Sequence, residues 1–381
     1  MGAGQAGTQI VDRVFEHENM TIRSEPLAFN STIQDLEELE NVPRDRWFGL
    51  SAEYGLVPAT ESGFEEKMPT GFGQHPRHAD EVMADHAGDI ERVLDQVYSG
   101  IETEPSTLQF AFVFLGLGGG TGCGISPHLA RGLREYGSSE MSVVAVAVLP
   151  NTRLFFDDSV DDDARGQQIQ QCRNTVFGLD RLEEVVDSIV LVDNQRLAYD
   201  AADSDEFSDY NRYVATAFND VVLSTEAERV EQEVDIDMQN VDLRDVVRFI
   251  EGSSGTAGYA SIGRGVTMTK SLLGYLFPFG IGREPVDERE LMVDAVGKQS
   301  LADVDPSDAR SAVGVVRAPG SCWETDLSIG NVYEELSYYC RNVNMGWALT
   351  NRNLASVTAL FGYEREDIGR IKEIERIAEH E

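Results

Sequence analysis

A glycine-rich run, Gly118-Gly-Gly-Thr-Gly-Cys-Gly124, is the first segment of this 381-residue chain whose composition suggests chemistry. It follows the apolar stretch Phe110–Leu117, which predicts a buried strand, and it precedes a helical pattern from Ile125 to Tyr136. Glycines at a strand-to-helix junction let several backbone N–H groups face one anion, and the next helix adds its dipole. The run therefore predicts a phosphate-binding loop, with a flexible turn as the alternative. Its proposed ligands are Gly118, Gly119, Gly120, Thr121 and Gly122.

A second glycine motif, Gly2-Ala-Gly4-Gln5-Ala6-Gly7, fits the GxGxxG spacing of dinucleotide-binding loops. Such a loop normally follows a strand, and an acidic residue about 20 positions later holds the ribose. Only Met1 precedes these glycines, and Glu25 lies near the required distance without a visible strand end. Binding of NAD or FAD is therefore an open alternative for this motif.

Two aspartates, Asp242 and Asp245, follow Asn240 at a predicted helix start. Their spacing of three places both carboxylates on one side of the first turn, where negative charge suits the helix dipole. The pair could position a water molecule for attack, or it could only cap the helix. The spacing by itself leaves both readings open.

The elements that must position these motifs form two patterns. Near-continuous apolar strands at 110–117, 141–149 and 189–192 alternate with helices, which predicts a parallel sheet covered on both faces. Phe207 to Val234 reads as one long helix. Beyond it, four further strands and three helices indicate a smaller α/β layer domain. These strands are expected at 258–262, 312–317, 345–349 and 355–360.

The charge balance excludes one class of partner. The chain carries 67 acidic and 31 basic residues, a net charge of -36, and phosphate backbones need clustered Lys and Arg. We therefore expect no nucleic-acid binding. The acids are spread through every segment, which is typical of a protein kept soluble in concentrated salt, although a specific acidic function is the alternative.

Cysteine spacing and hydropathy exclude further classes. The 4 cysteines are widely separated and form no CxxC pair, so neither a zinc site nor a disulfide framework is indicated. No apolar run approaches the roughly 18 residues of a membrane span, and no secretory signal opens the chain. We expect a cytoplasmic protein with no direct membrane insertion.

Taken together, the motifs resemble the tubulin/FtsZ superfamily, and most of all its archaeal FtsZ/CetZ-like branch. Gly118–Gly124 is similar to the family's GGGTGSG signature, and Gly4–Ile10 resembles the tubulin GQCGNQIG loop. Asn240-Val-Asp-Leu-Arg-Asp245 resembles the NxDxxD synergy loop of FtsZ, and Val192–Leu197 resembles the segment whose asparagine reads guanine. These matches follow the family's order over residues 1–245.

The resemblance implies a fold and a domain order. We expect a Rossmann-like GTPase domain with a parallel sheet over residues 1–204. A central helix and the synergy loop would follow over 205–240. A smaller α/β activation domain would occupy 241–381.

The resemblance also implies a GTP/GDP site with Mg²⁺. Gly4, Gln5, Ala6 and the glycine run would hold the phosphates, and Gly73, in the loop 71–74, would face the γ-phosphate. Asn30 belongs to the next loop of the site. The side chains expected near the guanine are Gln9, Asn194 and Asn219. Asn194 could instead be a strand-end turn residue, and Asn219 a surface helix residue.

In the family, the loop that Asn240, Asp242 and Asp245 match meets the nucleotide of the next subunit. The resemblance therefore implies a GTPase activated by assembly into head-to-tail filaments, with the chain itself and tubulin-like paralogues as partners. We expect a cytoskeletal role in cell shape. A non-hydrolysing structural or regulatory subunit and a division-ring protein are the alternatives.

Several positions depart from the family pattern. The family begins with an apolar strand ahead of its first glycine loop, so we expect a strand upstream of Met1. The ribose-binding Glu and Arg positions fall near Gln167 and Gln171, where Arg165 or Arg173 could substitute. Where the family has an aromatic residue one helical turn before the second guanine-reading asparagine, this chain has an alanine, Ala215.

Overall fold

A computed structural model gives the fold of the chain. The residues that it describes are 1–16, 25–68, 71–98, 110–137, 141–157, 159–196, 206–224, 243–252, 256–270, 285–323 and 327–380. The chain divides into two compact units. The first comprises Met1–Ala215, Gly252–Ala257 and Ile368–Glu381, and the second comprises Thr216–Glu251 and Gly258–Asp367.

The described part of the first unit contains a sheet of seven strands in the order β7-β6-β5-β1-β2-β3-β4. All neighbours pair in parallel except β3 and β4. Strands β6 and β7 are rich in Val and almost fully buried, as expected of a parallel sheet covered on both faces. The strands are β1 Gly2–Ala3, β2 Ala28–Asn30, β3 Trp47–Ser51, β4 Gly55–Pro58, β5 Phe110–Gly116, β6 Ser142–Leu149 and β7 Ser188–Asp193.

Helices of the first unit carry the loops at the strand ends. They are α1 Gly4–Val14, α2 Ile33–Glu37, α3 Phe64–Lys67, α4 Pro76–Asp85, α5 Gly88–Tyr98, α6 Thr121–Tyr136, α7 Asp162–Glu183, the first part of α8 Glu206–Ser224, and α13 Gly369–Ala378. Helix α1 lies close against β5, because a Cβ on Gly7 would be 2.0 Å from the Phe114 carbonyl oxygen. Only glycine permits that approach.

The described part of the second unit contains a mixed four-stranded sheet in the order β10-β9-β11-β8. Strands β9 and β10 are parallel, and β11 runs antiparallel to both β9 and β8. The strands are β8 Gly258–Met268, β9 Ser311–Ala318, β10 Val343–Leu349 and β11 Leu354–Tyr363. The helices are α9 Leu243–Ile250, α10 Glu288–Gly297, α11 Gly320–Trp323 and α12 Ile329–Ser337.

A buried carboxylate ties α8 to the sheet of the second unit. Asp220 accepts hydrogen bonds at 2.6 Å from Arg264 and Arg317 and at 2.9 Å from Ser356. Burial acts to raise the pKa of this carboxyl, but the two arginines hold it below its usual range. The ion cluster therefore joins one helix to three strands of this unit.

The parallel sheet and the smaller α/β unit confirm the predicted fold class. The expected strands are present: β5 and β6 are each one residue shorter than expected, the other five are longer, and β1 is a two-residue strand between β2 and β5. The boundary between the units falls inside α8, and residues 225–242 of the expected central helix and loop lie outside the described residues. The predicted domain bounds place 368–381 with the C-terminal domain, whereas these residues pack with the first unit. No helix in the described ranges is long and apolar enough to cross a bilayer.

Candidate functional site

A cavity of about 540 Å³ opens in the first unit, at the carboxyl ends of its parallel strands. Ala3, Asn30, Gly116 and Leu149 stand at the ends of β1, β2, β5 and β6, and Asn194 follows β7. Ligands of open α/β sheets bind at this edge. The other lining residues are Gly4, Gln5, Ala6, Ser31, Thr32, Asp35, Gly71, Phe72, Gly73, Gln74, Gly118, Gly119, Gly120, Thr121, Gly122, Val148, Pro150, Asn151 and Gln171.

The two glycine motifs meet backbone to backbone at one end of the cavity. Gly4 has a φ of +67°, and a Cβ there would lie 2.7 Å from the Gly122 nitrogen. A Cβ on Gly122 would lie 2.5 Å from the Ala3 oxygen. Helices α1 and α6 both begin at this point, at Gly4 and Thr121, so the positive ends of two helix dipoles border the same space. We call this the phosphate end.

A third loop, residues 71–75, closes the phosphate end. Gly71, Gly73 and Gln74 all have positive φ, at 90°, 55° and 62°. A Cβ on Gly120 would lie 2.8 Å from the His75 nitrogen, so this loop also packs directly on the glycine run. The structure thus places Gly73 beside the predicted phosphate loop.

Polar side chains complete this end. The Ser31 and Thr121 hydroxyl oxygens lie 2.6 Å apart, and Asn30 Oδ1 accepts from the Ser31 backbone N–H at 2.8 Å. Asn30 Nδ2 donates to Asp35 at 3.0 Å. Burial raises the pKa of Asp35, and Glu38 adds to the shift, while the Asn30 hydrogen bond opposes it.

Asn174, on α7, joins two of the loops and was missed by sequence reasoning. Its Nδ2 donates to the carbonyl oxygens of Gln74 at 2.9 Å and Gly118 at 3.1 Å, with Gly119 at 3.4 Å. Gln170 donates to its Oδ1 at 2.8 Å, which fixes the amide orientation. The side chain is 2% exposed. No spacing in the sequence links position 174 to these loops.

We call the part of the cavity lining that is formed by Pro150, Asn151, Gln171 and Asn194 the base end. It adjoins the glycine run, because a Cβ on Gly118 would lie 3.2 Å from Pro150 Cβ and 3.4 Å from Gln171 Cβ. The two glutamines at the family's ribose-binding positions differ in where they lie. Gln171 lines the cavity, and Gln167 is exposed. Nearby Gln168, which is buried, donates to the Asn151 oxygen at 3.0 Å.

Arg165 and Arg173, the two arginines that could have replaced a ribose-binding residue, bind other parts of the chain. Arg165 donates to the Asp157 oxygen, and Arg173 donates to the carbonyl oxygens of Ala378 and His380. Neither arginine lines the cavity. The lining around Gln171, where a ribose contact was predicted, therefore consists of neutral side chains, including those of Asn151 and Asn194.

Three further predicted positions lie away from the cavity lining. Gln9 Nε2 donates to Glu38 at 3.4 Å. Asn219 is buried in the second unit, and Asp245 is half-buried in the first turn of α9, also in that unit. Asn240 and Asp242 lie outside the described residues. The roles of these residues stay predictions.

The cavity and the fold agree with a comparison against protein-family models. The model of the Tubulin/FtsZ family, GTPase domain, matches residues 1–201, which is more than half of the chain. The chain therefore belongs to the tubulin/FtsZ family.

Several individual proteins that are similar to this chain are CetZ proteins. It is 29% identical over 260 residues to the tubulin-like protein CetZ of Pyrococcus furiosus, covering 68% of this chain and 60% of that one. The chain thus spans about 60% of the length of the first curated relatives that it matches. CetZ1 from Haloferax volcanii superposes with a TM-score of 0.70 at 19% identity, over 99% of this chain and 97% of the other. CetZ2 from the same organism gives a TM-score of 0.69 at 18% identity, covering 100% and 98% of the two chains. The two superpositions show a shared fold.

Proposed function

We propose that this chain binds GTP and GDP in the cavity of the first unit and hydrolyses GTP when it assembles head to tail. One observation carries the proposal: three backbone loops and two helix N-termini converge at the phosphate end, and Asn194, which follows β7, lines the same cavity. Neutral N–H groups bind phosphate oxygens, and an asparagine amide can both donate to and accept from a guanine edge.

Names of similar structures support the same proposal. CetZ1 from Haloferax volcanii is a GDP-bound monomer, and CetZ2 forms a protofilament with bound GTPγS. TubZ from Bacillus thuringiensis, with a TM-score of 0.65, also forms a protofilament in its GTPγS form. We propose filaments of this chain, alone or with tubulin-like paralogues, in a cytoskeletal role. Deleting its gene should alter cell shape, and undivided cells would instead indicate a division role.

The residues present fit a metal ion that arrives with the nucleotide. Asp35 is the one carboxylate among the lining residues, and the described ranges hold no group of three or more His, Cys, Asp or Glu side chains. Mg²⁺ commonly uses one or two protein oxygens together with phosphates and water. Asp35 and the Ser31 and Thr121 hydroxyls could take that part, and the ion would neutralise phosphate charge.

Hydrolysis requires a water molecule in line with the γ-phosphorus and donors for the charge that develops. The backbone N–H groups of the glycine run supply such donors. Asn240, Asp242 and Asp245 are proposed to orient and polarise the water at the nucleotide of the neighbouring subunit. A head-to-tail contact of this kind does not close, so it produces filaments.

Direct binding tests the ligand. The protein is unfolded, stripped of nucleotide, refolded in concentrated salt, and titrated with GTP, GDP, NAD and FAD. We expect tight binding of GTP and GDP alone. Binding of NAD or FAD with no response to GTP would overturn the proposal.

Asp245→Ala tests hydrolysis separately from binding. We expect GTP affinity and polymer mass to stay close to wild type, while phosphate release per polymerised subunit falls on the order of 10²- to 10⁴-fold. If Asp245 only caps α9, the variant loses about 1 kcal/mol of stability and hydrolyses normally. Wild-type turnover per subunit that stays at background and does not rise with protein concentration would instead favour the non-hydrolysing alternative.

A further inference from the structure

Arg370, on the C-terminal helix α13, is a buried cation that contacts Pro150 of the base end and Asp193, the residue before Asn194. Its side chain is fully buried. Nε donates to Asp193 Oδ2 at 3.0 Å, and Nη2 donates to the Pro150 oxygen at 2.6 Å. Nη1 donates to Thr152 Oγ1 at 2.7 Å and to Glu373 at 2.6 Å. Four groups from three separate segments therefore bind one guanidinium.

Two of these partners stand next to cavity residues. Asp193 ends β7 and immediately precedes Asn194, and its other oxygen accepts from the Gln195 backbone N–H at 2.9 Å. Pro150 lines the cavity itself, at the end of β6. Arg370 thus joins the backbone that carries Asn194 to the backbone of the facing loop.

The rest of α13 explains how the arginine reaches this position. Ile371, Ile374 and Ile377 are buried, and the helix packs along α7. Arg173 of α7 holds its far end through the Ala378 carbonyl oxygen at 3.0 Å. The helix therefore presents Arg370 to the base end in one orientation.

The contact between Arg370 and Asp193 is a buried ion pair, which constrains the geometry around it. A buried ion pair is stable only when its geometry and hydrogen bonds are satisfied, and removing one partner leaves an uncompensated charge. The Asp193 carboxylate is completely buried, as is Arg370. The loop at 150–152 and the turn at 193–195 are consequently held in the arrangement that satisfies both charges.

We propose that Arg370 is a positioning residue for the base end, and that through it the docking of α13 and the binding of the nucleotide base stabilise each other. The inference rests on the proposed nucleotide function. Arg370 touches no ligand in this scheme. It acts through Asp193 and Pro150, which place Asn194 and the opposite wall.

Arg370→Met is the test variant, because methionine preserves apolar packing while it removes the ion pair. Lys372→Ala, an exposed cation on the same helix, is the matched control. The ligands are GTP, GDP and inosine diphosphate, which lacks the exocyclic amine of guanine. The GDP-to-inosine-diphosphate ratio reports the base end, and the GTP-to-GDP ratio reports the phosphate end.

We expect Arg370→Met to weaken GDP binding about tenfold, within the usual range of coupling between sites. Its preference for GDP over inosine diphosphate should fall towards one, while the GTP-to-GDP ratio stays within about twofold of wild type. Lys372→Ala should change neither ratio. An arginine that only anchors the helix would leave both preferences intact, and that result overturns the inference.

Hydrogen exchange of the wild-type chain gives an answer even if Arg370→Met does not fold. Coupling between two sites is reciprocal, so if the docked α13 raises the affinity for GDP, bound GDP favours the docked helix by the same factor. We therefore expect GDP to slow amide exchange in α13 by about that factor. Pyrophosphate, which has no base, should leave exchange in α13 unchanged. GDP binding without protection of α13 refutes the inference and leaves the proposed function standing. A wild-type chain that binds no nucleotide refutes both.

Discussion

The two ends of the cavity are built by different physical means. The phosphate end uses backbone N–H groups, glycines in direct contact and the neutral amide of Asn174. The base end is supported from behind by the buried Arg370–Asp193 ion pair. An anionic ligand group is best met by neutral dipoles, since a fixed carboxylate there would repel it. A neutral base imposes no such restriction, so a charged pair can support its site.

The ends also differ in how far their parts are separated along the chain. Glycine motifs at the phosphate end are each local, within a few residues. At the base end, Arg370 lies 177 residues from Asp193 and 220 from Pro150. The first kind of site depends on local backbone geometry, and the second depends on the correct docking of a distant helix.

Asn174→Asp should have the largest effect on the phosphate end. It replaces the amide donor by a carboxylate that faces the carbonyl oxygens of Gln74, Gly118 and Gly119. We expect a loss of about 3–5 kcal/mol of stability, as for an unpaired buried charge. Binding of GTP should disappear at temperatures where the variant is still folded. Thermal unfolding and titration with GTP measure the two effects.

Asn174→Ala tests whether the phosphate end distinguishes GTP from GDP. Without the amide, the loop at 71–75 is no longer held to the glycine run, so GTP should lose more affinity than GDP. Arg370→Met, by contrast, is expected to leave the GTP-to-GDP ratio nearly unchanged. Equal losses of GTP and GDP affinity in Asn174→Ala would contradict the distinction between the two ends.

Gly122→Ala should have an intermediate effect. Its Cβ would lie 2.5 Å from the Ala3 oxygen, so either α6 or β1 must shift, at a cost of about 1–3 kcal/mol. We expect phosphate binding to weaken, since both glycine loops are displaced. Gly166→Ala, in α7, is the control, because nothing lies within 4 Å of the added Cβ. The free energy of unfolding of Gly166→Ala should rise by up to about 1 kcal/mol, because alanine has a higher helix propensity than glycine.

Asp35→Asn should have the smallest effect. Asp35 is the carboxylate at the otherwise neutral phosphate end. Removing its charge should strengthen metal-free GTP binding roughly twofold to fivefold, the range of weak charge interactions. Because burial raises the pKa of Asp35, acidification protonates it earlier than an exposed aspartate and should strengthen wild-type binding in the same direction. The variant should lack that pH response. Weaker binding by the variant in Mg²⁺ would assign Asp35 to the metal.

Sequence reasoning predicted the long buried strands well, because continuous runs of Val and Ala leave few other choices. It missed β2, β3 and β4, which have three to five residues each and too short a pattern to read. It also expected the strand before the first glycine loop to lie upstream of Met1. Gly2 and Ala3 form one because β2 and β5 flank them on both sides.

The sequence by itself determined the family, the parallel sheet and the glycine loops that line the cavity, since consecutive glycines permit tight backbone turns and close approaches that other residues do not. It also determined the character of the surface, because the net charge of -36 is a sum that folding does not change. Only the tertiary structure decided that Asn174 joins two loops and that Arg370 stands behind Asn194. Those contacts join residues up to 220 positions apart. A side chain's partner at such separations depends on how helices pack, and one sequence carries no periodic or local signal for it.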